Sequence, residues 1–398
     1  MELTSVRTME APVAGRVRLV GNVRYEGAAA PEEYWYEVPE ELAGSLSRTG
    51  NPWLACLLPL AASTGEPLRL RLPVDELLLR GATEILSVWS AWYPKLRSVP
   101  IEADPVAAPA GGLRSAAFFT GGVDSFFTAL RHARVPRTKD SVDDLLTISG
   151  LDIPLRHEEA AARRRERLRA AASDLGVELC EVATNIKETR LREADWHDIS
   201  HGPGIVSAGL ALEGRFRRLL VASTKPYQTL HPLGSHPMTD PLLSTESTRV
   251  IHDGATHGRG EKIAFIAGYE VAMSALHVCY RGKDDVNCGE CEKCLRTLLW
   301  LDLSGRRGAC RTFPKDGPDM ERVAKIFLSP NLVPYYSELK TAAVRSGRRD
   351  VARAVNRSLR ASSWRRPVVR LAEGLRGRKL VWRAARPLRR AALAGAVV

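Results

Sequence analysis

The sequence predicts an α/β protein, with a parallel sheet covered by helices on both faces and a separate N-terminal α+β domain. Three observations predict it. From residue 113 onward, short apolar runs alternate with helical patterns, the order that builds parallel sheets. Residues 1–102 carry several strand patterns and one helix without that alternation. Residues 103–112, Ala-Asp-Pro-Val-Ala-Ala-Pro-Ala-Gly-Gly, have the composition of a linker.

The elements follow in order. Residues 15–25 alternate as a strand, with Val17, Leu19 and Val23 on one side. Residues 34–38 and 66–72 are two further strands. Residues 83–93 are a helix, with Ile85, Leu86, Trp89 and Trp92 at helical spacing and Pro94 as the stop. Core packing is the commoner use of such aromatics, a substrate surface the rarer one. After the linker come a strand at 115–119, a helix at 125–134 and a strand at 144–149. A long helix at 158–175 ends at Gly176. A strand at 177–183, a helix at 206–215 and a strand at 218–223 complete the alternation, with Lys225 just past the last strand. Ligands of such sheets bind beyond the carboxyl ends of the strands. The expected domains are 1–102, the linker 103–112, a nucleotide-type α/β domain at 113–276, a cysteine-containing helical part at 277–337 and a basic tail at 338–398.

Composition narrows the function classes. The 398 residues are 44% hydrophobic and 26% charged, normal for a soluble globular chain. No apolar run reaches the roughly 18 residues of a membrane-spanning helix, and the first ten residues show no apolar signal region. The net charge of +12 is unevenly spread: residues 340–398 hold 17 Lys+Arg and 2 Asp+Glu, a net of +15, which leaves the first 339 residues at −3. Of seven cysteines, Cys279, Cys288, Cys291 and Cys294 lie within sixteen residues. That clustering argues against a disulfide scaffold and for a metal or redox site in a reducing compartment, so a cytoplasmic location is expected.

The sharpest local feature is Phe118-Phe-Thr-Gly-Gly-Val-Asp-Ser-Phe-Phe127, an apolar strand running through a double-glycine turn into a helix. Gly121 and Gly122 let the backbone turn tightly and present its N–H groups, and the helix start adds a positive dipole end. Thr120 and Ser125 supply hydroxyls, and Asp124 can cap the helix or help hold a cation. This loop resembles the Ser-Gly-Gly-x-Asp-Ser loop of the ATP pyrophosphatases, with Thr120 in place of the first Ser. The resemblance implies a five-stranded parallel, Rossmann-like sheet of the adenine-nucleotide α-hydrolase type. It also implies cleavage of ATP between the α- and β-phosphates, adenylation of a carbonyl oxygen and release of pyrophosphate. Thr120, Gly121, Gly122, Asp124 and Ser125 would then hold the phosphates. Ser149, Gly150 and Asp152 would lie near the adenine, and Thr184 would follow the third strand. Gly202, in Gly202-Pro-Gly204 ahead of a helix, would make a second phosphate turn. Lys225 would neutralise the transferring charge, with Asp124 and Ser125 as the other catalytic groups; an ordinary exposed lysine is the alternative for Lys225.

The cysteines are spaced Cys279-x8-Cys288-Gly-Glu-Cys291-Glu-Lys-Cys294. Four thiolates can close a tetrahedral Zn²⁺ site, hold an iron–sulfur cluster or act as a redox pair. Loop and cysteines together resemble the 7-cyano-7-deazaguanine synthase family over about residues 113–305, whose zinc is structural. That family converts a carboxylate to an amide and then a nitrile with ATP and ammonia. This chain departs from it by its first 110 or so residues, its tail and the segment 230–246. In that segment His231 and His236 are ordinary structural or surface candidates, while Asp240 or Glu246 could ligate Mg²⁺ through oxygen.

The expectation is therefore an ATP- and Mg²⁺-dependent C–N ligase acting on a small carboxylate or amide with ammonia or an amine. A sulfurtransferase acting on RNA through the same adenylate is the alternative, and a non-enzymatic nucleotide-binding module a third. The tail, with Arg at near-helical intervals, Trp364 and Trp382 between, and Pro367 and Pro387 expected to interrupt any long helix, suits RNA, an acidic partner or an anionic surface. A homodimer is a further candidate assembly.

Overall fold

The computed structural model describes residues 1–107, 111–133, 140–279 and 286–374. The chain divides into two compact units, Met1–His257 and Gly258–Val398.

The first unit begins with strands β1 (Glu2–Glu10), β2 (Arg16–Arg24) and β3 (Glu32–Pro39), paired antiparallel in that order. Helix α1 (Asn51–Thr64) follows, with Pro52 in its first turn and Gly65 closing it at φ +76°. Nearly every residue of α1 is buried, from Asn51 to Ala62. Short strands β4 (Leu68–Leu70) and β5 (Val74–Asp75) lead to helix α2 (Glu76–Trp92). The Asp75 side chain accepts from the N–H groups of Leu77 and Leu78 at 3.0 and 3.3 Å, which starts α2 earlier than its apolar spacing suggests. Leu78, Ala82, Ile85, Leu86 and Trp89 form its buried face. Strands β6 (Ile101–Glu102) and β7 (Pro105–Val106) lie at the start of the expected linker, and β7 pairs with β5.

The remaining elements alternate: β8 (Arg114–Phe118), α3 (Val123–Ala133), β9 (Asp144–Ser149), α4 (Glu158–Asp174), β10 (Glu178–Thr184), α5 (His201–Leu210), β11 (Phe216–Ala222) and β12 (Arg249–Asp253). The strands lie in the order β12-β11-β8-β9-β10, each parallel to its neighbour. The chain moves outward from β8 through β9 to β10, then returns to the other side of β8 with β11. The carboxyl ends of β8 and β11 therefore flank the point where strand order reverses, the customary ligand crevice of such sheets.

The sheet itself has ten strands rather than the expected five. Its order continues β10-β3-β2-β1-β4-β6, so the N-terminal strands extend the parallel block instead of forming a sheet of their own. An open β10 edge would leave backbone groups unpaired. β3 covers the end of that edge through Ala183↔Glu37 and Thr184↔Tyr36. Side chains fasten the join: Thr184 Oγ1 donates to Trp35 O at 2.7 Å, Trp35 N–H to Asn185 Oδ1 at 2.9 Å, and Asn185 Nδ2 to Glu33 O at 2.8 Å. One hydrophobic core runs from Leu3 and Leu19 through Trp53 and Trp89 to Phe118, Val182 and Leu219.

The second unit is helical: α6 (Arg259–Ile266), α7 (Glu270–Ala275), α8 (Glu292–Leu303), α9 (Met320–Lys325), α10 (Val333–Arg345) and α11 (Arg349–Gly374). α11 buries Val351, Ala354, Val355 and Ser358, and Ser358 Oγ donates to Ile326 O just past α9 at 2.9 Å. Contrary to the expected interruption, α11 runs through Pro367. Pro367 is exposed, so the carbonyl that it leaves without an N–H partner is open to water. Trp382 and Pro387 lie outside the described residues.

Candidate functional site

The loop between β8 and α3 is built as its sequence requires. Phe119 N–H closes the strand on Leu146 O at 2.8 Å. Gly121 takes φ +75°, a backbone that side-chain-bearing residues rarely adopt. Phe126 N–H to Gly122 O, at 2.9 Å, ties the first turn of α3, so the N–H groups of Val123, Asp124 and Ser125 precede the helical ladder. Inside the loop, Thr120 N–H donates to Ser125 Oγ at 3.3 Å, and Ser125 Oγ donates to Gly122 O at 3.1 Å. Thr120 Oγ1 lies 3.3 Å from Ser125 Oγ and accepts from Gly122 N–H at 3.4 Å. Thr120 is exposed, Asp124 half-buried and Ser125 buried. The two hydroxyls thus stand together at the mouth of a helix start, chemistry that suits an anion.

The neighbouring strand ends add to this edge. Beyond β9, Ser149 is half-buried, and Gly150, at φ +95°, packs so closely on Thr184 O that a Cβ would lie 2.1 Å from it. Asp152 is tied back by Arg164. The Arg164 Nη2 donates both to Asp152 Oδ2 at 3.0 Å and to Thr120 O at 3.1 Å. This buried arginine, which sequence reasoning missed, links the loop to the β9 end. Its signal was its place on the apolar face of α4, with Ala160, Leu168 and Ala171. Beyond β11, Lys225 is buried, unlike an ordinary surface lysine, and Ser223 Oγ holds its carbonyl at 2.6 Å. Beneath the edge, Asp253 at the end of β12 accepts from Thr128 Oγ1 at 2.7 Å and lies 3.1 Å from His132 Nε2.

Three residues stand apart. Thr184 spends its hydroxyl on the join to β3. Gly202 is no turn ahead of a helix: it lies inside α5, which starts at His201 and ends at Leu210. Its N–H donates to Gly234 O at 2.6 Å, and a Cβ there would meet Asp240 Oδ1 at 2.5 Å, so close packing explains the glycine. Asp240 is wholly buried; it accepts from Ser235 Oγ at 2.7 Å and His236 N–H at 3.2 Å, and pairs with His252 Nδ1 at 2.7 Å. That is the arrangement of an internal hydrogen-bonded cluster rather than of an open Mg²⁺ site. Glu246 is exposed. His236 accepts from Met238 N–H at 3.1 Å, and burial, then the nearby His252, lowers its pKa, consistent with a neutral structural ring. Burial likewise lowers His231.

A pocket of about 320 Å³ opens among Ser63, Tyr93, Lys95, Arg192, Asp195 and Asp198. Burial and the neighbouring Asp195 push the Asp198 carboxyl up, and burial with the two carboxylates pushes Tyr93 up to about 12. No ion pair engages Lys95 or Arg192 among the described residues.

In the second unit the four cysteines converge. All four sulfurs lie within 4.8 Å of one another, with Cys279–Cys291 and Cys288–Cys294 each at 3.9 Å. A tetrahedral ion with Zn–S bonds of about 2.3 Å sets sulfurs about 3.8 Å apart. The donor set therefore fits one metal ion and is compatible with zinc. The local backbone is a knuckle: Gly289 takes φ +72°, and the N–H groups of Glu290 and Cys291 donate to Cys288 Sγ at 3.4 and 3.3 Å. Cys291 caps α8 and Cys294 lies in its first turn, where the dipole favours thiolate. Hydrogen bonding from Cys294, Cys288 and Cys279 holds the Cys291 thiol below its ordinary value. Asn287, also missed from sequence, holds both strands of the site. Its Oδ1 accepts from Val278 and Cys279 N–H at 2.8 and 3.2 Å, and its Nδ2 donates to Leu276 O at 2.9 Å. No spacing rule marks an asparagine for this task.

The chain matches no protein-family model, and comparison with curated proteins and with solved structures returns no match.

Proposed function

We propose that the protein is an ATP-dependent ligase of the ATP pyrophosphatase type, related to the 7-cyano-7-deazaguanine synthases, with a Rossmann-like nucleotide domain and a structural zinc site. The observation that carries this reading is the loop at residues 120–125, with its left-handed glycine and paired hydroxyls, at the switch point of five parallel strands. In the proposed reaction Mg²⁺-ATP sets its phosphates on the loop amides and on Thr120 and Ser125. A substrate carbonyl oxygen attacks the α-phosphorus, and Lys225 and the loop N–H groups stabilise the developing charge. Pyrophosphate leaves, and ammonia or an amine displaces AMP. Lys95 and Arg192, which form no ion pair among the described residues, offer a carboxylate two cations in a pocket also lined by Glu193, Asp195 and Asp198.

The sulfur-transfer reading needs a reactive thiol outside the metal site. Cys56, Cys180 and Cys310 are all buried, and burial pushes Cys56 and Cys180 up to about 12, which disfavours it. Product analysis with Mg²⁺-ATP, ammonia and a panel of small acids tests the proposal. AMP and pyrophosphate, dependent on one acid and lost in Asp124→Ala and Ser125→Ala, are expected. ADP with phosphate, or undiminished turnover in both variants, refutes it.

A further inference from the structure

Helix α11 presents one continuous stripe to solvent. Arg353, Arg357, Arg360, Trp364, Val368 and Leu371 follow at steps of three or four residues and so share a face. Trp364 is 84% exposed, Leu371 67% and Val368 39%, whereas Val351, Val355, Ser358, Ser362 and Val369 are buried. The three arginines are exposed as well. The stripe is thus cationic in its first half and apolar in its second. Clustered apolar side chains left open to water on a charged helix mark a contact surface. The sequence that follows, 375–398, adds seven Lys and Arg, no Asp or Glu, and Trp382.

We propose that α11 binds an anionic lipid surface. Arginine guanidinium groups meet lipid phosphates, while Trp364, Val368 and Leu371 enter the boundary between headgroups and acyl chains. The charge selects an anionic partner, and the aliphatic residues select among anionic partners. A nucleic acid can pair with the arginines and stack on Trp364, but base faces bury aliphatic side chains such as Val368 and Leu371 less completely than acyl chains do. The helix lies on the surface, since no described helix is long and apolar enough to cross a membrane. This inference stands apart from the ligase reading.

Flotation of the full chain with phosphatidylcholine vesicles, with and without phosphatidylglycerol, tests it. Flotation with the anionic vesicles alone is expected. Joint replacement Trp364→Ser and Leu371→Ser should weaken it roughly tenfold or more, through lost apolar burial at unchanged charge. Trp364→Phe should retain it. Both sites are exposed, so folding should survive, as circular dichroism would verify. Absence of flotation with anionic vesicles, or equal flotation of the serine variant, overturns the proposal. Tighter capture of single-stranded RNA than of vesicles, insensitive to the serine pair, overturns it as well.

Discussion

Gly121 and Asp253 carry the sharpest residue-level consequences. Gly121 sits at φ +75°, where an alanine costs about 1–2 kcal/mol. The protein can meet that cost only by moving the loop, and with it the N–H groups ahead of α3. If the proposed reaction holds, Gly121→Ala should therefore lower AMP formation roughly a hundredfold, the scale of losing one oriented donor, while any metal held by the cysteines stays unchanged. Steady-state kinetics beside metal analysis checks both halves. Asp253 bears on pH. Burial alone would raise its carboxyl, but hydrogen bonds from His132 and Thr128 and the charge of Arg131 bring it below the ordinary value. A lowered folded pKa means stability that is present above about pH 3.9 and lost as pH falls through the folded value. Asp253→Asn should flatten the acid limb of thermal stability below about pH 4, read by melting across a pH series.

At the scale of elements, legibility followed periodicity. β9 and the glycine end of α4 were readable because β9 is a short run rich in apolar and β-branched residues bounded by Gly150, and α4 has an explicit stop at Gly176. α1 was not, because a helix buried on all sides shows no amphipathic pattern. β12 is only five residues, with an exposed Arg249 and a histidine among its apolar positions. The double-glycine turn at 120–122 and the convergence of the four cysteines were legible because turn and ligand geometry constrain residue types within a few positions. The long-range supports, Arg164 and Asn287, were not, since their partners lie far along the chain or in ordinary backbone. The β10–β3 join is the same kind of feature: two residue pairs and the Thr184 and Asn185 side chains fasten its end. Asn185→Ala removes two of those hydrogen bonds and should cost about 1–3 kcal/mol. Urea denaturation should show a lower midpoint with an unchanged slope.

At the scale of the whole molecule, the two units draw on different sources of stability. Residues 1–257 share one sheet and an extensive apolar core that includes Trp53, Trp89, Phe118 and Val182. The described residues of 258–398 are helical, with α7 and α9 only six residues each, and the cysteine knuckle precedes α8. Asn287 ties residues 276–279 to the segment that carries Cys288, Cys291 and Cys294. A metal ion bound by the four thiolates would hold them together, and its binding energy would then be folding energy for that unit. Chelation should accordingly lower one calorimetric transition and leave the other in place. Cys291→Ser should reproduce the shift without chelator, because three remaining thiolates bind zinc more weakly. A single transition that moves as a whole under chelation would mean that the sheet unit also depends on the metal, and an unmoved thermogram would mean that the four cysteines contribute no metal-linked stability.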